Sequence, residues 1–296
     1  MHLLCQAKPG FNPVSVRRSM HKQETIAEQN VAPDHTLRVK IFHQSDRWLN
    51  RLVKLLTSLH EGCWLGWLAA DDLNAVTDER YGKSQWYKST EHNVSGLFDW
   101  ETAVLGRHFQ PASRILVAAA GAGREVLALR RAGFRADGFE CNTTLLHASR
   151  RIFRQVGEPD NSVTPCAADC VPAGPAIYDG IIVGWSAYTH IPTKQRRIAF
   201  LRALRERALP RAPVLLSFFT RDQDSRYEEV VYRTARLWRF ILCRHKEPLD
   251  RGDRLTLDQC IHFFTRDEVE AELRAAGFKL THFSEENYGH AVGKAD

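Results

Sequence analysis

The longest hydrophobic periodicity in the chain starts after Ser45, where Trp48, Leu49, Leu52, Val53, Leu55, Leu56 and Leu59 recur at steps of three and four. Residues so spaced share one side of a 3.6-residue helix, so the pattern predicts an amphipathic helix that stops near Gly62. A second helix is expected in CWLGWLAADDLNAVTDERYG, from Cys63. The stretch KSQWYKSTEHNVSG that follows has no period and reads as a loop, and LFDWETAVLGRHF reads as a further helix. Residues 1–44 are polar and aperiodic, with Pro9, Pro13 and Pro33, and are expected to form a mobile tail.

After Pro111 the period changes. RILVAAA, ADGFE, SVTPCA, YDGIIVGW and PVLLSFFT are short apolar runs of strand length. Helical patterns separate them, the clearest being PTKQRRIAFLRALRER with Pro192 suited to a first turn. Strands alternating with helices predict an α/β fold, a parallel sheet covered on both faces. An arginine-rich helical segment, SRYEEVVYRTARLWRFILCRH, breaks the alternation and defines an insertion at about 222–257 ahead of LDQCIHFF. The chain closes with a helix ended by Gly277 and two strands. The organisation expected is therefore a tail at 1–44, a helical cap at 45–110 and an α/β domain at 111–296.

Within the α/β part, ILVAAAGAGREV runs from a buried strand into two glycines and then a helix starting near Arg124. Glycine permits positive φ and lets a ligand approach without meeting a Cβ, and a helix start presents free N–H groups. The turn suits a nucleotide-like ligand. A dinucleotide fingerprint wants a third Gly or Ala three residues after Gly123, and this chain has Val126, which weakens a nicotinamide reading. At the end of the second strand Glu140 offers a carboxylate able to accept from two ribose hydroxyls.

The net charge of +6 over 296 residues comes from arginines spread along helical segments such as ALRRAGFR and LRALRERALPR, as on solvated helix faces. No aromatic-interleaved basic stripe marks a nucleic-acid track. No apolar run reaches the roughly 20 residues of a membrane span, and MHLLCQAKPG lacks the apolar core of a secretion signal. Seven cysteines without a repeating spacing fit reduced thiols in the cytoplasm. The pairs Cys243/His245 and Cys260/His262 have a Cys-x-His spacing, but positions i and i+2 on a helix do not face together, and no metal site is expected.

The order of motifs resembles the class I S-adenosylmethionine-dependent methyltransferases over about residues 81 to 293. The features are a glycine turn after strand one, an acidic residue ending strand two, AAD after strand three, an apolar fourth strand and a C-terminal AGF helix before a strand pair. The resemblance implies a Rossmann-like seven-stranded methyltransferase sheet and S-adenosylmethionine as cofactor. It places Ala120, Gly121 and Gly123 along the cofactor's amino-acid and sugar portion, Glu140 and Cys141 at the ribose, and Asp169 and the Cys170 N–H at the adenine, with Trp185 and Tyr81 beside them. Where the family carries an acidic residue before the glycines and often a third glycine, this chain has Ala118, Ala119 and Arg124. The methionine end is expected to be held differently.

Methyl transfer from a sulfonium is an in-line displacement, so the protein aligns the reactants and excludes water, and a base is needed only for a protonated acceptor. GWSAYTHIP follows strand four, at the sheet edge where ligands of such folds bind. His190 there resembles the histidine of many small-molecule methyltransferases and is the expected base, with Tyr188 as its partner in catalysis. Ser186, Trp86 and Tyr87 are expected at the acceptor, the last two from a cap folded over the site as a lid. The expected function is methylation of a small-molecule O, N or S nucleophile. RNA or protein methylation, or a catalytically silent cofactor-binding protein, are the alternatives. GWSAY in place of an Asn/Asp-Pro-Pro-Tyr/Phe box argues against base-amino methylation.

Overall fold

The structure, a computed structural model, describes residues 36–221, 225–244, 248–256 and 258–296. Most of the expected tail lies outside the described residues, and its last part does not: helix α1 spans Leu37–Trp67 and begins eight residues before Ser45. Nor does it stop at Gly62. The helix continues through Gly62 and Gly66 because both lie against a second helix, α9 (Arg226–Ile241), where a Cβ on Gly62 would come within 2.6 Å of Thr234 and one on Gly66 within 2.6 Å of the Ala235 carbonyl. These glycines mark a close helix crossing and not a helix end. The break falls at Leu68–Ala69, before α2 (Ala70–Lys83).

The loop expected at 83–96 holds two single-turn helices, α3 (Gln85–Lys88) and α4 (Thr90–Val94). Both are started by Ser/Thr-rich sequence, and Ser89 caps α4 by accepting from the His92 N–H. Helix α5 (Asp99–His108) then leads to the sheet.

The sheet is built from β1 (Arg114–Ala118), β2 (Arg135–Glu140), β3 (Val163–Pro165), β4 (Gly180–Val183) and β5 (Pro213–Thr220), all parallel, in the spatial order β3-β2-β1-β4-β5. Helices α6 (Arg124–Arg131), α7 (Thr143–Gln155) and α8 (Lys194–Arg205) make the crossovers. Two last strands, β8 (Phe278–Ser284) and β9 (Gly289–Ala295), complete a seven-stranded path, with β9 antiparallel to β5. Its inner strands are nearly continuous apolar runs, Ile115 to Ala118 and Gly180 to Val183, because both sheet faces are covered.

The count of seven is two short. The insertion contributes α9 together with β6 (Asp253–Leu255) and β7 (Cys260–Phe264), and β7 pairs with the last two residues of β5, making nine strands among the described residues. Helix α10 (Arg266–Ala275) follows β7 and ends at Gly277, whose φ of 84° is left-handed. No described helix is long and apolar enough to cross a membrane.

Candidate functional site

The first turn after β1 lies where the strand order changes sense, with β2 on one side of β1 and β4 on the other, and a cavity of about 440 Å³ opens there at the strands' C-terminal ends. Its floor is the glycine turn. Ala119, Gly121 and Gly123 all have positive φ, at 50°, 56° and 97°. The two glycines play different parts. Around the Cβ position of Gly121 there is open space on the cavity, whereas a Cβ on Gly123 would meet the Phe153 ring at 2.3 Å. Gly121 lines the cavity with Ala120, and Gly123 lets α6 and α7 pack behind it.

Glu140, at the end of β2, is buried and lines the same wall. Its carboxylate accepts from the Gly121 N–H at 2.8 Å and the Asn142 N–H at 2.7 Å, and burial raises its pKa above the ordinary carboxylate value. Cys141, an exposed residue, stands next to it, and desolvation of the thiol together with the neighbouring Glu140 carboxylate raises its pKa and keeps it neutral. Asp169, at φ 57°, and Cys170 line the far end. The Asp169 carboxylate accepts from Asn74 of α2 at 2.7 Å and from Arg196 of α8 at 3.1 Å, which fixes its orientation.

Sequence reasoning missed Glu125 and the job of Arg124. Arg124 is buried and forks onto Glu101 with bonds of 2.8 and 2.7 Å, reaches the Gly96 carbonyl, and bonds Glu125 at 2.8 Å. Glu125 also accepts from the Trp185 backbone N–H at 3.1 Å, and both bonds fall on its Oε1. A carboxylate therefore lines the cavity just after the glycines. Glu125 stands four residues beyond Gly121 on the sequence, which a search for an acidic residue before the turn passes over. Beside it the Trp185 indole N–H is buried without a hydrogen-bond partner, and the ring lines the cavity between Phe98 and Tyr288.

Over the cavity lie α2, α3 and α4. Asn74, Thr77, Asp78 and Tyr81 of α2, Tyr87 of α3 and Asn93 of α4 all line it. The Tyr81 hydroxyl lies 2.9 Å from His190 Nε2, and His190 Nδ1 lies 2.7 Å from the Cys260 carbonyl oxygen. A carbonyl only accepts, so Nδ1 carries the proton, Nε2 is the acceptor and Tyr81 donates to it. Burial pushes the His190 pKa down to about 4. The imidazole is neutral at ordinary pH and lines the cavity beside Tyr81. Tyr81 packs in turn against Tyr87 with the rings tilted by 50°, and burial holds its own pKa well above the usual tyrosine value.

Four expected site residues do not line the cavity. Gly123 has been described. Tyr188 is fully buried below the site and donates to Glu272 at 2.5 Å, within a buried group that includes Arg197. It sits two residues from His190 on a single-turn helix, Ala187–His190, where such positions face apart. Ser186 is buried and accepts from Tyr288 at 2.8 Å. Trp86 packs behind the wall, its ring centroid 3.7 Å from that of His92. Of the Cys-x-His pairs, His245 lies outside the described residues. The other pair is separated by function: the Cys260 N–H bonds Thr77 while His262 Nδ1 bonds Asp253.

No protein-family model and no curated protein matches the sequence. Solved structures do match. A SAM-dependent methyltransferase from Methanosarcina mazei is 16% identical, with 68% of this chain and 98% of that chain covered at a TM-score of 0.52. The 1,6-didemethyltoxoflavin-N1-methyltransferase of Burkholderia thailandensis, with 1,6-didemethyltoxoflavin and S-adenosylhomocysteine bound, is 17% identical over 77% of this chain and 92% of that one, also at 0.52. The CcbJ methyltransferase from Streptomyces caelestis is 14% identical over 73% and 97%, at 0.50. The chain has the class I S-adenosylmethionine-dependent methyltransferase fold.

Proposed function

We propose that the protein is an S-adenosylmethionine-dependent methyltransferase acting on a small molecule that enters beneath the cap. The observation that carries the reading is one cavity joining the open turn at Gly121, the Glu140 carboxylate, the oriented Asp169 and the unpartnered Trp185 N–H. An orphaned buried donor is costly unless a ligand supplies its acceptor. The residues fit the cofactor in a consistent order. With the cofactor bound, Glu140 would accept from the ribose hydroxyls, Asp169 would stand at the adenine edge, Glu125 Oε2 would take the amino group of the methionine end and the Trp185 indole N–H would donate to its carboxylate, while the Cys170 N–H is already turned onto the Ala167 carbonyl at 3.3 Å. Glu125 thus takes the part of the acidic residue that the family carries before the glycines.

The cofactor when bound supplies an electrophilic methyl group on a sulfonium. The chain's own task is to hold the acceptor and take its proton. An acceptor O–H or N–H donates to Tyr81 Oη, Tyr81 passes its own proton to His190 Nε2, and the Cys260 carbonyl keeps the ring oriented. His190 therefore acts through Tyr81. Tyr87 walls the acceptor side, and the cap excludes water. Small size of the acceptor is supported by the 440 Å³ volume, shared with a nucleoside-sized cofactor, and by the 1,6-didemethyltoxoflavin bound in the Burkholderia enzyme.

Two measurements test this reading. Calorimetry should give S-adenosylhomocysteine binding that Glu140→Ala weakens by about 2 to 4 kcal/mol through loss of the ribose hydrogen bonds. Transfer of labelled methyl from S-adenosylmethionine into small molecules of a metabolite extract should follow. Unchanged affinity in a folded Glu140→Ala variant, or label appearing only in RNA or protein, would overturn it.

A further inference from the structure

Helix α5 lays one face on the β8–β9 hairpin. Trp100, Val104 and His108 recur at steps of four and share that face, and Val104 is buried in the same core as Val292 of β9. In the hairpin His282 lies opposite Val292 and Ser284 opposite His290, so His282 and His290 are diagonal neighbours on the face that α5 covers. Three imidazoles meet there. His282 Nε2 is 3.3 Å from His290 Nε2, and the centroid of the His108 ring lies 5.3 Å from that of His282. None of the three lines the cofactor cavity.

The orientation of His290 is fixed. Its Nδ1 lies 2.7 Å from the Tyr288 carbonyl oxygen, and Trp100 stacks on its ring at 4.9 Å. A carbonyl only accepts, so Nδ1 carries the proton and Nε2 presents a lone pair toward His282. A backbone carbonyl behind one ring nitrogen is also how a histidine that ligates a metal through the other is held. The spacing suits that use: two nitrogens about 2.0–2.1 Å from one zinc ion and 3.3 Å from each other subtend roughly 107° at the metal, close to tetrahedral. We infer that His282 Nε2, His290 Nε2 and His108 form a site for a divalent transition metal, zinc in the first place, with water completing the four positions. Without metal, His282 holds the proton between the two Nε2 atoms. On binding, that proton moves through solvent to His282 Nδ1, and both lone pairs turn to the ion. His108, half-buried at the end of α5, reaches it by rotation of its side chain, and the ion then ties α5 to the hairpin. Burial lowers the pKa of His290 and, with help from the charges of His282, Lys294 and Arg107, that of His108, which keeps both rings neutral and able to ligate. Lys294 and Arg107 oppose any cation, so ligation rests on imidazole–metal bonding, which suits zinc, copper or nickel and not the oxygen-seeking magnesium or calcium.

Cobalt(II), which occupies zinc sites and absorbs visible light there, is the probe. Titration of the reduced full chain with cobalt(II) chloride should give the visible absorption of one four-coordinate ion per chain. Zinc chloride should abolish the absorption and raise the melting temperature. His282→Ala and His108→Ala should each weaken cobalt binding by at least roughly tenfold, the loss that removal of even an outer partner brings. Melting curves of the metal-free variants check folding, and if His282→Ala melts early, His108→Ala at the helix end carries the comparison. Absence of visible absorption would overturn the site and leave the two histidines a plain hydrogen-bonded pair. An intense near-ultraviolet band, the mark of thiolate ligands, with affinity unchanged in both variants, would put the metal on cysteines and overturn it equally. Full affinity in His108→Ala alone would overturn the three-histidine set.

Discussion

His190 has both ring nitrogens committed, one to the Cys260 carbonyl and one to Tyr81, and this sets two expected outcomes. Its pKa in the fold is about 4 against 6.5 unfolded. Between those values the unfolded chain binds a proton that the native chain does not, so stability is complete above about pH 6.5 and falls on acidification toward pH 4, by up to about 3 kcal/mol from this group. In His190→Gln this acid limb should flatten, which thermal melts across the window would register. Turnover should drop roughly 10²- to 10⁴-fold in the same variant while cofactor affinity holds, as for loss of a general base. Tyr81→Phe should reproduce the turnover loss if the proton passes through its hydroxyl. A Tyr81→Phe enzyme of wild-type kcat would exclude the relay.

Among elements, the turn after β1 separates two uses of glycine. Gly123→Ala drives a methyl into the Phe153 ring at a left-handed φ, and should destabilise the fold by about 2 to 4 kcal/mol. Gly121→Ala meets no atom of the protein, so only the strain of its φ, about 1 kcal/mol, should appear in denaturant unfolding. Its larger effect should be on cofactor affinity, because the methyl enters the cavity. Gly62→Leu belongs with Gly123: a side chain there collides with the backbone of α9 at Val231, and the expected loss of about 1 to 3 kcal/mol would show as a lowered denaturant midpoint.

For the molecule as a whole, α2 to α4 lie over the sheet edge and contribute a large share of the cavity wall, so access depends on their position. A cap that opens for exchange and closes on ligands should become resistant to limited proteolysis at residues 81–95 when S-adenosylhomocysteine and acceptor are both present. Cleavage indifferent to both would mean that the cap is a fixed wall. The local patterns made much of this architecture legible. Strand runs, the glycine turn and Glu140 depend on neighbours a few residues apart, and the strand and helix order from β1 onward follows from them. Three matters needed the folded chain. Tyr81 and His190 are 109 residues apart, and only the packing of α2 over the sheet brings them together. Tyr188 and His190 differ by two positions, yet the short helix that carries them turns one into the core and the other into the cavity. The β6–β7 pair exists because β5 runs two residues past β9 and leaves an edge to be paired. The sequence by itself determined which segments are strands, helices and turns, since those preferences are local. Which side chains meet in the cavity was decided by tertiary structure, because it turns on helix phase and on loop closure over long stretches of chain.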